Sequence, residues 1–190
     1  MKKILKIILA VITALIIIVV AFGAIIFTDV AAYTATNSQT LPATGTAMGT
    51  ALVLYDPGLS GTATHVAEKI AADLQAEGLT VTLAGIKSSA AADPSGYDVV
   101  VVGGPVYAGA VTASVKDALA TLAQTHSSDT VVGVYGSGQG SSTPEDITQI
   151  KDSVPALQSS GALSNAVVVK IGESEDLAAR AADFVSQLVS

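Results

Sequence analysis

The chain has no cysteine and no tryptophan, so disulfides, thiolate nucleophiles and cysteine-held clusters are all excluded. Histidine is nearly as scarce: His65 and His126 stand far apart in sequence and share no metal-ligand spacing. Basic residues are few. Lys and Arg number 9 against 16 Asp and Glu, for a net charge of −7. Lys2, Lys3 and Lys6 all precede the first acid, Asp29, so residues 28–190 are more acidic than the chain as a whole. The later cations Lys69, Lys87, Lys116, Lys151, Lys170 and Arg180 are scattered. They form no basic stripe, which excludes a nucleic-acid partner.

One long apolar run is present, from Ile7 to Phe27, rich in Ile, Val, Leu and Ala and free of charge. As a helix it spans roughly 30 Å, the hydrocarbon thickness of a bilayer. With lysines before it and Asp29 after it, the positive-inside rule puts the amino terminus in the cytoplasm. Residues 1–27 are therefore expected to be a single-pass anchor in the cell membrane, meeting the lipid bilayer through residues 7–27, with the globular domain outside. A cleaved signal peptide is the alternative, since Asp29 to Ala35 offers small residues. The apolar stretch, however, exceeds the roughly 7–15 residues of a signal-peptide core. Both readings export the domain. Residues 28–50 are rich in Ala and Thr, contain Pro42 and lack helical or strand periodicity, so they are expected to be a linker.

Residues 51–190 alternate between two periods. Ala51–Tyr55 is an apolar strand ended by Asp56-Pro57-Gly58. Thr62–Glu77 places Val66, Ala67, Ile70, Ala71 and Leu74 on one helical face, and Gly78 stops it. Thr80–Ala84 alternates as a strand, and Ala90–Ser95 allows a brief helical turn. The valines 99–102 form the third strand, followed by a helix over Val111–Ala123 and a fourth strand over Thr130–Tyr135. Thr143-Pro144-Glu145-Asp146 opens a helix with Thr143 as N-cap and Pro144 at its first position. A fifth strand over Asn165–Ile171 and a helix over Ser174–Val189 close the chain. Strands separated by such crossovers predict an α/β domain with a doubly wound, five-stranded parallel sheet.

Three strands end in glycine-rich loops, at the sheet end where open α/β folds place ligands. The first loop enters a helix amino terminus, whose free N–H groups and dipole suit a phosphate, and Ser60, Thr62 and Thr64 add hydroxyl donors. In the second, the valine strand breaks into Gly103-Gly104-Pro105, where the backbone is expected to turn sharply before Val106 and Tyr107. The third is Gly136-Ser137-Gly138-Gln139-Gly140. Other motifs fail. Gly58-Leu59-Ser60-Gly61-Thr62 lacks a glycine of the hydrolase elbow, and the third loop lacks the last glycine of G-x-G-x-x-G. A hydrolase using Ser60 and His65 has no oriented third member.

Residues 100–109 resemble the G-x-P-x-Y-x-G loop of flavodoxin-like proteins, and the resemblance extends over residues 51–190. It implies the strand order 2-1-3-4-5 and non-covalent binding of FMN. The first loop is similar to that family's phosphate-gripping Ser/Thr-x-Thr-Gly-x-Thr. Its counterparts here are Ser60, Gly61, Thr62 and Ala63, with Ala63 in place of the final threonine unless Thr64 takes that role. Pro105, Val106, Tyr107, Ala108 and Gly109 would border the flavin ring, with Asp56 or Leu59 near it. Gly136, Ser137, Gly138, Gln139 and Gly140 would meet its polar edge. The implied function is membrane-tethered, FMN-dependent electron transfer with a redox partner protein, no residue acting as acid or base. A degenerate domain without flavin and an FMN-dependent quinone reductase are the alternatives, so whether the chain is an enzyme stays open.

Overall fold

A computed structural model describes residues 11–23 and 35–190. Residues 11–23 are helical, with Val11, Leu15, Val19 and Phe22 among the exposed side chains. Of the expected span 7–27, residues 7–10 and 24–27 lie outside the described residues. Among the described residues, no helix is long and apolar enough to cross a membrane.

The domain opens with β1 (Ser38–Leu41) and β2 (Gly49–Tyr55), then α1 (Thr62–Ala76), β3 (Leu79–Gly85) and the single turn α2 (Ser89–Ala92). It continues through β4 (Val99–Tyr107), β5 (Ala110–Val111), α3 (Ala113–Thr125), β6 (Val131–Gly138) and α4 (Pro144–Ser153). A 3₁₀ turn (Pro155–Leu157), β7 (Val167–Gly172) and α5 (Leu177–Leu188) complete it. The expected five-stranded sheet is corrected to seven strands, in the order β1-β3-β2-β4-β6-β7 with β5 paired to β4. The parallel strands β3, β2, β4, β6 and β7 are the five expected from sequence. The two additions are antiparallel. Neither is both long and apolar enough to show as a strand in the sequence. β1 exposes Ser38, Gln39 and Thr40 at the sheet's edge, within the segment expected to be unstructured, and β5 has only two residues.

Alternation within the central strands sorts the core into two layers. Ala51, Val53, Val99 and Val101 pack with Ile70 and Leu74 of α1 and with Phe184 and Leu188 of α5. Leu52, Leu54, Val100 and Val102 pack on the other face with Val115 and Leu119 of α3 and Ile150 of α4. Each fully buried Val or Leu contributes roughly 1.5–3 kcal/mol relative to exposure. That both faces are covered explains why the valine run is continuous rather than alternating. β2 and β4 are neighbours, yet the helices after them pack on opposite faces. A crevice opens between diverging chains at such a switch point.

The cap expected for α4 is present. Thr143 accepts from the Asp146 N–H at 3.2 Å, and Asp146 returns the bond from the Thr143 N–H at 2.9 Å.

Candidate functional site

The Gly103-Gly104-Pro105 turn expected from sequence is overturned: all three residues continue β4, which runs to Tyr107. Gly103 is needed because a Cβ there would lie 2.2 Å from the Tyr135 ring. A Cβ on Gly104 would lie 2.8 Å from Asp56 and 3.0 Å from Val115. The β2–β4 ladder ends at Tyr55 and Gly103, so Pro105 removes no N–H that β2 would have received. The chain turns three residues after Pro105 instead, at Ala108 (φ 48°) and Gly109 (φ 79°), between Tyr107 and its partner Ala110. Similarly, Gly136, Ser137 and Gly138 prolong β6 and are not loop.

These extensions carry β4 and β6 past β2 and wall a cavity of about 440 Å³, within the usual range for small-molecule sites. Leu59, Ser60 and Thr62 line it from the first loop, and Pro105, Val106, Tyr107 and Ala108 from β4 and its turn. Ser137, Gly138 and Gln139 line it from β6, and Glu173 from the residue after β7. Nine of the residues expected at the site therefore meet around one cavity. Gly61, Ala63, Thr64, Gly109, Gly136 and Gly140 are not among its lining residues. Ala63 is a core residue on the inner face of α1, where its carbonyl accepts from the Tyr135 hydroxyl at 2.9 Å. Burial, reinforced by the charge of Asp56 and by Tyr55, pushes that phenol well above its ordinary range. Gly61 caps α1 at φ 75°, and Gly136 lies against Val106 and Ile150.

Asp56 does not reach the cavity. Its carboxylate is fully buried and accepts from the Gly58 N–H at 3.1 Å, the Thr112 hydroxyl at 2.8 Å and the Ser114 hydroxyl. It thereby ties the first loop to the start of α3, across the switch point. The Ser60 hydroxyl donates to Thr62, and His65 turns outward to Glu68, so the nucleophile–base pair of a hydrolase does not form.

Glu173 belongs to none of the motifs in the sequence, although its place directly after the fifth strand is a signal: every residue at these carboxyl ends is a candidate wall of the crevice. It carries the only charge among the lining residues. Its N–H donates to the Gly138 carbonyl at 2.9 Å, and its Oε1 accepts from the Thr62 hydroxyl at 3.0 Å. Nearby, Lys170 is buried and bonded to Asp146 at 2.9 Å, holding α4 against β7. Arg180 lies 3.3 Å from Glu175, so both cations behind the site are engaged.

Several solved structures share this architecture. A short-chain flavodoxin associated with a non-canonical PDU bacterial microcompartment is 21% identical, with TM-score 0.54 over 74% of this chain and 95% of its own. The Streptococcus pneumonia TIGR4 flavodoxin is 21% identical, with TM-score 0.55 over 74% of this chain and 97% of its own. The Fusobacterium nucleatum flavodoxin bound to flavin mononucleotide is 14% identical, with TM-score 0.52 over 75% and 98%. No curated protein matches the sequence. Residues 52–167, more than half of the chain, match the flavodoxin domain family, and the chain belongs to that family.

Proposed function

We propose that this protein is a membrane-tethered, FMN-binding electron carrier. The observation that carries the reading is the convergence of four strand ends around one cavity at the β2–β4 switch point, with Tyr107 half-buried in its wall. The lining fits a flavin ring: Leu59, Pro105, Val106 and Tyr107 present apolar surface, while Ser137, Gly138 and Gln139 present polar groups. Ser60 and Thr62 carry neutral hydroxyls at a helix amino terminus, a setting that suits a phosphate, but the Thr62 hydroxyl is bonded to Glu173.

A bound flavin would supply the redox chemistry itself. The chain's part is to hold and orient. Tyr107 offers a flat aromatic face, and its pairing with Ala110 fixes its backbone. Asp56 keeps the first loop close to the start of α3. Glu173, together with the acidity of the whole domain, makes the potential in the crevice negative, which raises the cost of adding an electron there.

Tethering is supported by the exposed apolar helix over residues 11–23 and by the way the chain enters the domain. In β1, Ser38 pairs with Ala84 at the carboxyl end of β3, the end that carries the cavity. A chain leaving a bilayer at Phe27 reaches Ala35 within roughly 30 Å. That leash favours a redox partner protein at the outer membrane surface.

Titration of the full chain with FMN tests the reading. Saturable quenching of flavin fluorescence is expected, and Tyr107→Ala should weaken binding by about 1–3 kcal/mol. No saturable change at micromolar flavin would favour the second reading, a flavodoxin-like domain without flavin, to which the carboxylate of Glu173 already lends support. For topology, protease added to intact cells should release the domain; protection until lysis would reject the orientation.

A further inference from the structure

We infer that Glu173 is a built-in competitor for the phosphate position of the cavity, so that the site discriminates against the terminal phosphate of a flavin nucleotide and accepts a neutral, hydroxylated side chain nearly as well. The inference rests on the flavin reading above and deepens it by naming the ligand class.

The side-chain donors that the first loop brings to the cavity are already engaged. The Thr62 N–H donates to the Ser60 oxygen at 3.3 Å, the Ser60 hydroxyl to the Thr62 oxygen at 3.0 Å, and the Thr62 hydroxyl to Glu173 Oε1 at 3.0 Å. A hydroxyl has one proton to give, so neither Ser60 nor Thr62 retains one for a phosphate while this chain stands. Its terminus is an anion. Glu173 is also held in place at its backbone: its own N–H bonds to Gly138, and the preceding Gly172 N–H bonds to Glu175 Oε2 at 2.7 Å. An incoming phosphate must therefore turn the carboxylate out or sit beside it.

No cation among the lining residues offsets that repulsion, and Lys170 and Arg180 behind the site are engaged with Asp146 and Glu175. A carboxylate and a phosphate dianion about 5 Å apart in water-like surroundings repel enough to weaken binding about tenfold. A sugar-alcohol chain behaves in the opposite way. Its hydroxyls are donors, and the second carboxylate oxygen of Glu173 is an acceptor for them.

The test compares riboflavin, FMN and inorganic phosphate on the full chain in detergent, as wild type and as Glu173→Gln. Glutamine keeps an acceptor for the Thr62 hydroxyl and removes the charge, and the side chain is exposed, so folding is spared. Fluorescence titration should show FMN tightening about tenfold in the variant, with riboflavin changing less than about twofold. Inorganic phosphate should raise the melting temperature of the variant more than that of the wild type. Equal changes for FMN and riboflavin would overturn the inference while leaving flavin binding intact. If neither protein binds either flavin, the functional reading fails, and the phosphate arm alone decides on Glu173: a gain in the variant upholds its role, and no gain overturns it.

Discussion

Removing the Asp56 carboxylate is expected to destabilise the domain by about 3–4 kcal/mol, and the figure comes from a donor count. Three donors end on this fully buried group: the Gly58 N–H, the Thr112 hydroxyl and the Ser114 hydroxyl. Thr112 and Ser114 also lie 2.9 Å from each other. In Asp56→Ala one hydroxyl can therefore satisfy the other, which leaves one hydroxyl and the Gly58 N–H without acceptors. Each buried orphan costs roughly 1–3 kcal/mol, and relief from burying a carboxylate returns part of the total. Asp56→Asn should be little better, because its amide group points donors at donors. Thr112→Val with Ser114→Ala strips the carboxylate of two partners and should cost about 3 kcal/mol or more. When all three changes are combined, the loss should fall short of the sum by at least about 1 kcal/mol, since donors and acceptor vanish together. Urea unfolding of the four proteins measures every term. A loss under about 1 kcal/mol for Asp56→Ala, or simple additivity across the set, would refute the claim that this network joins the first loop to α3.

Other expectations rest on separate features. Gly103→Ala drives a methyl group to 2.2 Å from the buried Tyr135 ring and should cost about 3 kcal/mol or more, with partial rescue by Tyr135→Val, read from thermal unfolding. Ala108 holds φ 48° in a two-residue turn, so Ala108→Asn should stabilise by about 0.5–1 kcal/mol and shift the urea midpoint upward. Asp146 is held down to about 2 by the Thr143 hydroxyl and then by Lys170. A depressed carboxyl contributes fully above its unfolded value near pH ~4 and loses that contribution as pH falls toward ~2. The stability gap between wild type and Asp146→Asn should accordingly close across that window in pH-dependent urea unfolding.

The five parallel strands and their helices were legible because each carries a local signal. The valines 99–102 are β-branched and apolar on both faces, and Val66, Ile70 and Leu74 recur at helical spacing. The Thr143 cap was legible for the same reason, since all its members lie within one turn. The wall of the cavity was half legible. Ser60, Thr62, Tyr107 and Gln139 were recognisable as residues at the carboxyl ends of strands, which topology alone brings to one place.

What the tertiary structure alone decided was set by contacts between distant segments. Glycine and proline ordinarily break strands, yet Gly103, Gly104 and Pro105 remain in β4, because Tyr135 and Asp56 fill the space the glycines' missing side chains leave and β2 has already ended. β1 is polar and has no strand signature of its own; it forms because β3 offers it an open edge. Ala63 belongs to the core and not to the cavity, a matter of which way α1 faces the sheet. Glu173 reaches Thr62 across 111 residues of sequence, so its charge at the mouth of the first loop could be seen only once β7 had been laid beside β6. Local periodicity is written in neighbouring residues, whereas the charge and shape of a site between strand ends depend on which ends become neighbours.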